Sequence, residues 1–148
     1  MKKKIIIVVL LMACAAGIWA LNIDRKTADV PYEIPAGAEQ QKELETALAF
    51  MERAFGRKDT AAISRMYGLS EKEREAAKCE TGADPVKAGM ELLGGFGHKL
   101  KIENAAFIAV ERMPARFYIT GTLNDGRKVR FSLNRTPQGM RLNCVSLI

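Results

Sequence analysis

The sequence predicts an α+β fold, in which N-terminal helices pack on a curved antiparallel sheet of about four strands formed by the second half of the chain. Two observations predict it. Apolar residues between positions 38 and 93 recur with the spacing of helices that bury one face. From position 98 onward apolar and polar residues alternate, as in strands with one buried face. The 148 residues suffice for one such domain with one core.

The first helix is predicted over residues 38–55, because its apolar residues follow the i, i+3, i+4, i+7 spacing of one buried face. Gly56 is well placed to end this helix. We expect the apolar stripe to pack on one face of the sheet. The stripe consists of Leu44, Ala47, Leu48, Met51, Ala54 and Phe55.

Three shorter helices follow, each with an N-terminal signal. Asp59 is a good N-cap for a helix that buries Ile63 and Met66. Ser70 followed by Glu73 matches a capping box, which opens a polar helix. The dipeptide Asp84-Pro85 then supplies an N-cap with proline at the first helical position. A last helix before the sheet is therefore expected.

In the second half the sequence changes to a period of two, which predicts that a strand begins at His98. A bulge or bend is expected near Asn104, where the alternation is interrupted. Asn124-Asp125-Gly126 and Thr136-Pro137-Gln138-Gly139 predict the turns of two hairpins. On the last strand Cys144 is expected on the buried face, and Val145 on the other face. The other side chains expected on the buried face are Phe117, Ile119, Gly121, Leu123, Val129, Phe131, Leu133, Met140 and Leu142.

Residues 1–21 predict a signal peptide or an N-terminal membrane anchor, because three lysines precede an uncharged apolar run. Three outcomes remain open. The run could stay as an uncleaved anchor, it could be a lipoprotein signal that leads to lipidation of Cys14, or it could be cleaved after small residues. In each case the rest of the chain is delivered to the periplasmic side of a bacterial inner membrane, anchored or exported.

The predicted domain organisation follows from composition. Residues 22–37 are expected to form a linker, because Pro31 and Pro35 interrupt regular structure and charged residues keep the segment hydrated. Part of this linker, around Ile34, is expected to lie along the domain as an extended arm. The domain itself is expected over residues 38–148.

The charge of the chain excludes one class of partner. Lys2, Lys3 and Lys4 supply half of the formal net charge of +6, and the positive-inside rule keeps them on the cytoplasmic side. The remaining positive charge is too small for nucleic-acid binding, which needs a clustered basic face. We expect no nucleic-acid partner and no cofactor.

The turn Gly56-Arg57-Lys58-Asp59 between two helices, together with a final meander whose last strand follows Gly139, resembles the NTF2-like (cystatin-like, cone-shaped α+β) superfamily. The resemblance covers about residues 40–148 and is closest to small exported bacterial domains of unknown function. One departure is visible, since Met140 stands where such domains often carry a tryptophan. Known members include isomerases, dehydratases, ligand binders and secretion scaffolds, so membership alone does not select a function.

The resemblance implies a pocket between the sheet and the helices. The candidate pocket residues are Tyr67, His98, Phe107, Phe117 and Phe131. Phe50 and the methionines are further candidates to line the pocket. Aromatic residues and methionines spaced along helices and strands in this way usually fill a core instead.

No catalytic residue and no metal site can be assigned from the sequence. His98 is the only histidine, and a general base needs an oriented partner that the sequence does not provide. Metal ligands come in clusters of histidine, cysteine and carboxylate, and no such cluster is recognisable. Glu103 and Glu111 are strand carboxylates that we expect to face solvent.

Cys79 and Cys144 are a candidate disulfide, because thiols outside the cytoplasm meet oxidising conditions. Such a bond would connect the helical half to the sheet and stabilise the fold by ~4 kcal/mol in the loop-entropy model. The alternative is two separate cysteines.

A candidate docking face for a partner consists of basic residues at outward strand positions, with one tyrosine among them. Its alternative is an ordinary solvated sheet surface. The residues of this face are Arg116, Tyr118, Lys128, Arg130 and Arg141.

These observations favour a non-enzymatic domain, tethered to the membrane by its N-terminal segment or exported, that binds another envelope protein. The alternative is a small-ligand binder or an isomerase- or dehydratase-type enzyme that uses the cone pocket. An open cavity with a buried carboxylate, a tyrosine or His98 would favour this alternative. An inhibitor or immunity-type protein is a third class on which the sequence is silent.

Overall fold

The computed structural model describes residues 32–148 and, within them, all side chains except those of residues 77–81. The helices are α1 (Ala38–Gly56), α2 (Thr60–Tyr67), α3 (Glu71–Thr81) and α4 (Pro85–Leu93), followed by the 3₁₀ segment Gly94–Lys99. The strands are β1 (Glu33–Pro35), β2 (Glu103–Val110), β3 (Met113–Thr122), β4 (Lys128–Thr136) and β5 (Gly139–Leu147). The predicted α+β class is confirmed for this part of the chain.

The strands form one antiparallel sheet in which each strand pairs with its neighbour in sequence, in the order β1-β2-β3-β4-β5. The first predicted turn joins β3 to β4, where the Gly126 N–H donates to the Leu123 carbonyl over 2.9 Å. The second joins β4 to β5 at Gly139, whose φ is 108°. The irregularity expected near Asn104 is present as a register shift in β2.

The core lies between the helices and one face of the sheet, as the two periodicities predict. Leu44 of α1 is fully buried, and Phe117 and Phe131 of the sheet are 1% and 0% exposed. Burial of each such side chain contributes ~1.5–3 kcal/mol relative to exposure. The alternation is confirmed along β3, the residue that follows it and β4, where the buried residues are Phe117, Ile119, Gly121, Leu123, Val129, Phe131 and Leu133.

The predicted helix starts are confirmed by their hydrogen bonds. The Asp59 carboxylate accepts from the Ala62 N–H over 3.0 Å and caps α2. Ser70 and Glu73 form the capping box of α3, in which the Ser70 N–H donates to the Glu73 carboxylate over 2.8 Å. Asp84 accepts from the N–H groups of the first turn of α4. These groups satisfy donors that a helix N-terminus leaves unpaired.

The strand predicted from His98 is wrong over its first residues, because the 3₁₀ segment continues to Lys99 and β2 begins only at Glu103. Distant side chains bind the backbone here. The Lys101 N–H donates to the Asn124 side-chain oxygen over 3.0 Å, and the Ile102 N–H donates to the Glu52 carboxylate over 2.8 Å. The alternation still reports burial, since Leu100 and Ile102 are both buried.

Part of the predicted linker belongs to the sheet. Ile34 pairs with Ala109, and the Ala36 N–H donates to the Phe107 carbonyl over 2.9 Å. The extended arm expected around Ile34 is therefore the edge strand β1, and the compact unit of the described residues includes it, since that unit begins at Glu33. The first ten residues of the predicted linker, 22–31, lie outside the described residues.

The expectation that Cys144 faces the core is wrong. A β-bulge on β5 lets Leu133 pair with Leu142 while Ser132 pairs with Cys144, so one extra residue stands between the two pairs. This shifts the alternation by one residue. Val145 consequently packs against the core, and Cys144 is exposed.

Among residues 32–148, no helix combines the length and the apolar character that a bilayer crossing requires. The predicted leader over residues 1–21 and the candidate lipidation site Cys14 lie outside the described residues.

Candidate functional site

An open groove of about 670 Å³ lies between α1, α2 and the β4–β5 hairpin. We call it the hairpin groove. Its floor and walls are mostly apolar, and the Phe50 ring on its wall is 38% exposed. The groove is lined by Glu43, Thr46, Ala47, Phe50, Arg65, Met66, Arg135, Thr136, Pro137, Gly139 and Met140.

Local structure determines which side chains line the groove. Thr46, Ala47 and Phe50 lie at i, i+1 and i+4 of α1, so they share the side of the helix that borders the core stripe. Met66 and Met140 face them from α2 and β5. Methionine side chains are flexible and polarisable, which suits them to contacts with varied apolar surfaces.

An ion pair bridges one side of the hairpin groove. The Arg135 guanidinium of β4 donates to the Glu43 carboxylate of α1 from Nε over 3.1 Å and from Nη2 over 2.7 Å. The same guanidinium carbon lies 5.2 Å from the Phe117 ring centroid. Arg65 on α2 is exposed and makes no ion pair with any described residue, so the rim carries one uncompensated positive charge.

The structure does not assemble the five candidate pocket residues into an open cavity. Tyr67, Phe117 and Phe131 are buried in the core, and Phe107 packs partly buried against it. His98 lies elsewhere, exposed in the last turn of the 3₁₀ segment. None of the five lines the hairpin groove.

The Tyr67 hydroxyl is buried without a hydrogen-bond partner among the described residues. It faces Gly89 of α4, where a Cβ would lie 2.8 Å from the hydroxyl oxygen. Burial raises the pKa of Tyr67, and the charges of Cys144 and Asp84 raise it further. This hydroxyl is therefore held neutral, and it does not open into the groove.

Four of the five residues of the predicted docking face lie on the sheet face opposite the core. The Arg130 guanidinium stacks 3.8 Å from the centroid of the Tyr118 ring and forms an ion pair with Glu33 of β1. Arg116 and Lys128 occupy outward positions of β3 and β4. Because Glu33 compensates Arg130, this face is less basic than its sequence suggests.

Arg141, the fifth residue, is bound to another element. Its Nη1 donates to the Gly68 carbonyl at the C-terminal end of α2 over 2.8 Å. This bond satisfies a carbonyl that the helix end leaves free and ties α2 to β5.

Cys144 is exposed on β5 and is the only cysteine whose side chain the structure describes. The side chain of Cys79, its candidate disulfide partner, lies outside the described residues, so the disulfide stays a prediction. Within residues 32–148, leaving aside the side chains of 77–81, no three histidine, cysteine or carboxylate groups are close enough to hold a metal ion.

Sequence reasoning missed most of the groove. Phe50 and the methionines were expected near a pocket, but the remaining lining residues come from four separate elements. A signal existed only for the turn at Pro137, since a proline turn projects from the sheet. Searches with the chain against protein-family models, curated proteins and solved structures find no match.

Proposed function

We propose that this chain is a periplasmic domain, tethered to the membrane by its N-terminal segment or exported, that binds another envelope protein through the hairpin groove. The groove accepts an apolar side chain of the partner. Arg65 at its rim favours a partner with a carboxylate beside that side chain. The domain acts by binding rather than by catalysis.

One observation carries this proposal: Phe50, Met66 and Met140 surround a groove of about 670 Å³ that is open to solvent. Interface centres are enriched in aromatic residues and methionine, and they are surrounded by polar rims. The Glu43–Arg135 pair and Arg65 provide such a rim.

The alternative of a small-ligand binder or an isomerase- or dehydratase-type enzyme has less support. The volume is within the range of ligand pockets, but such pockets enclose most of their ligand. The one carboxylate that lines the groove, Glu43, is about half exposed and paired with Arg135. Tyr67 and His98, which were candidates for the pocket, lie outside the groove.

The proposal is tested by filling the groove. Thr46 is exposed and lines the groove, so Thr46→Trp places an indole in it without disturbing the core. Ala49→Trp is the matched control, because Ala49 is exposed on the same helix and does not line the groove. Both variants and the wild-type chain are tagged, expressed in the native host, crosslinked and purified.

A partner protein that is recovered with the wild-type chain and with Ala49→Trp, but is reduced at least tenfold with Thr46→Trp, supports the proposal. Equal recovery with all three chains contradicts docking in the groove. Circular dichroism of each purified variant shows whether the fold is retained.

We also propose that the domain is an NTF2-like domain. The order of elements supports it, since the long helix α1 precedes the antiparallel meander β2–β5 and shares one core with it. The test is a crystal structure superimposed on NTF2-like domains. Equivalent positions and directions for α1 and β2–β5 support membership, and a different strand order contradicts it.

A further inference from the structure

We propose that the C-terminal end of α1 carries a second docking surface, which binds an acidic segment of a partner protein. We call this surface the basic patch. It draws on two chain segments that are about forty residues apart in sequence and adjacent in space. It consists of Arg53, Arg57, His98, Lys99 and Lys101.

Close packing brings the two segments together. Gly56 of α1 touches the 3₁₀ segment, and a Cβ at this position would lie only 2.6 Å from the Gly97 carbonyl oxygen. Only glycine allows this approach. Arg53, Arg57 and His98 consequently surround one depression of about 210 Å³, and Lys99 is exposed next to His98.

The positive charge of the basic patch is largely uncompensated. Glu52 is the one carboxylate among the residues that line the depression, and its side chain is only 12% exposed. It already accepts from the Lys101 ammonium over 3.1 Å and from the Ile102 N–H over 2.8 Å. Among the described residues, the Arg53 side chain donates to the Ala49 carbonyl over 3.3 Å, and neither Arg53 nor Arg57 forms an ion pair. Asp59 borders a neighbouring depression with both arginines, but its carboxylate accepts from the Ala62 N–H.

The dipole of α1 offsets part of this positive charge. The C-terminal end of a helix carries about half a negative elementary charge, which favours cations there. Arg53 and Arg57 together exceed that charge, before Lys99 is considered. Arg53 and Arg57 stand four residues apart on one side of the helix, and their planar guanidinium groups match carboxylates in a bidentate geometry. The surface therefore fits a segment that presents two or more carboxylates.

The position of the basic patch favours an acidic protein over the membrane surface. The chain enters the sheet at Glu33, which pairs with Val110 at the end of β2. The basic patch adjoins Ile102, just before the start of β2. A strand of this length spans ~20 Å. The basic patch therefore lies at the other end of β2 from Glu33, the residue at which the chain enters the sheet after the tether of the proposed function.

The test measures binding of the full chain, purified in a non-ionic detergent, to fluorescent poly-L-glutamate at low salt. The double variant Arg53→Gln/Arg57→Gln removes two charges from the basic patch. Arg57→Gln/Lys99→Gln is a second variant that leaves Arg53 in place. The matched control, Arg116→Gln/Lys128→Gln, removes two charges from the opposite face of the sheet.

We expect both patch variants to weaken binding at least tenfold and the control to change it less than twofold. Equal weakening by all three variants indicates a diffuse charge effect and overturns the proposal. Binding to vesicles of phosphatidylglycerol and phosphatidylethanolamine that depends on Arg53 and Arg57, without binding to polyglutamate, overturns it in favour of a lipid surface. Thr46→Trp leaves this binding unchanged, so failure of the hairpin groove and failure of the basic patch are distinguishable.

Discussion

Tyr67 shows at the scale of a single residue how a tightly packed helix pair excludes a hydrogen-bond partner. Its ring fills the space between α2 and α4, and only 4% of the residue is exposed. The hydroxyl has no partner among the described residues, and the adjacent Gly89 leaves it just enough room. A buried hydroxyl without a hydrogen bond costs ~1–3 kcal/mol. The aromatic ring and not the hydroxyl therefore stabilises this site.

We predict that Tyr67→Phe raises the free energy of unfolding by ~1 kcal/mol at pH 7, because it removes the unsatisfied hydroxyl and keeps the ring. Chemical denaturation of the two proteins measures the difference. A loss of more than ~1 kcal/mol would show instead that the hydroxyl makes a stabilising bond.

The same residue predicts a dependence on alkaline pH. Burial raises the pKa of Tyr67 in the folded state, whereas the unfolded chain releases this proton near pH 10. The protonation of Tyr67 therefore contributes its full share to the free energy of unfolding below pH 10. This contribution is lost as the pH rises above 10, by up to ~1.4 kcal/mol per pH unit. We expect the wild-type protein to lose more stability than Tyr67→Phe between pH 9 and about pH 11. Parallel stability curves would contradict this.

Gly68 combines two requirements in one residue. Its φ is 61°, and a Cβ there would lie 1.7 Å from Nη1 of Arg141. Gly82 has a φ of 76°, and no described atom lies within 4 Å of the position that a Cβ would take, so it isolates the backbone requirement. We predict that Gly82→Ala lowers the free energy of unfolding by ~1 kcal/mol, the strain of a left-handed alanine, and that Gly68→Ala lowers it by about twice as much. Equal losses would show that Arg141 moves aside freely.

At the scale of elements, β1 depends on contacts beyond its own short ladder. It has three residues, all exposed, and Pro35 cannot donate a hydrogen bond. Glu33 forms an ion pair with Arg130 of β4, whose guanidinium stacks on Tyr118 of β3. This chain of contacts holds the edge strand across the outer face, and it connects the start of the domain to the middle of the sheet.

We predict that Glu33→Gln speeds amide hydrogen exchange in residues 33–36 at least fivefold, because the edge strand opens more often once the ion pair is lost. Arg116→Gln, which removes another charge from the same face, serves as the control. Hydrogen-exchange mass spectrometry measures both. Unchanged exchange in Glu33→Gln would mean that the backbone pairing alone holds β1.

The elements also show which features a sequence can predict. Asp59, Ser70 and Asp84 are helix caps whose hydrogen-bond partners lie two or three residues away, so the sequence alone predicts them. The end of the 3₁₀ segment depends on Glu52 and Asn124, which lie far away in sequence. Cys144 changes face because of a bulge that no local residue announces. Long-range hydrogen bonds and register shifts are therefore the features that sequence reasoning misses here.

At the scale of the whole molecule, the two proposed docking surfaces exist only after folding. The hairpin groove needs α1, α2, β4 and β5. The basic patch needs the C-terminal end of α1 and the end of the 3₁₀ segment, which are adjacent only in the folded protein. Their residues have no common pattern in the sequence. The predicted docking face on the sheet, by contrast, follows from simple alternation, but its charge is reduced by Glu33, which lies in a segment expected as linker.

The most direct test of the central claim, that a partner protein docks in the hairpin groove, is site-specific photo-crosslinking in intact cells of the native host. A photoreactive phenylalanine analogue replaces Phe50 in the groove or, as a control, Thr120 on the outer face of the sheet. We predict a single discrete adduct from position 50, none from position 120, and loss of the adduct when Thr46→Trp fills the groove. An adduct from position 120 alone, or one from position 50 that persists with Thr46→Trp, would contradict the account.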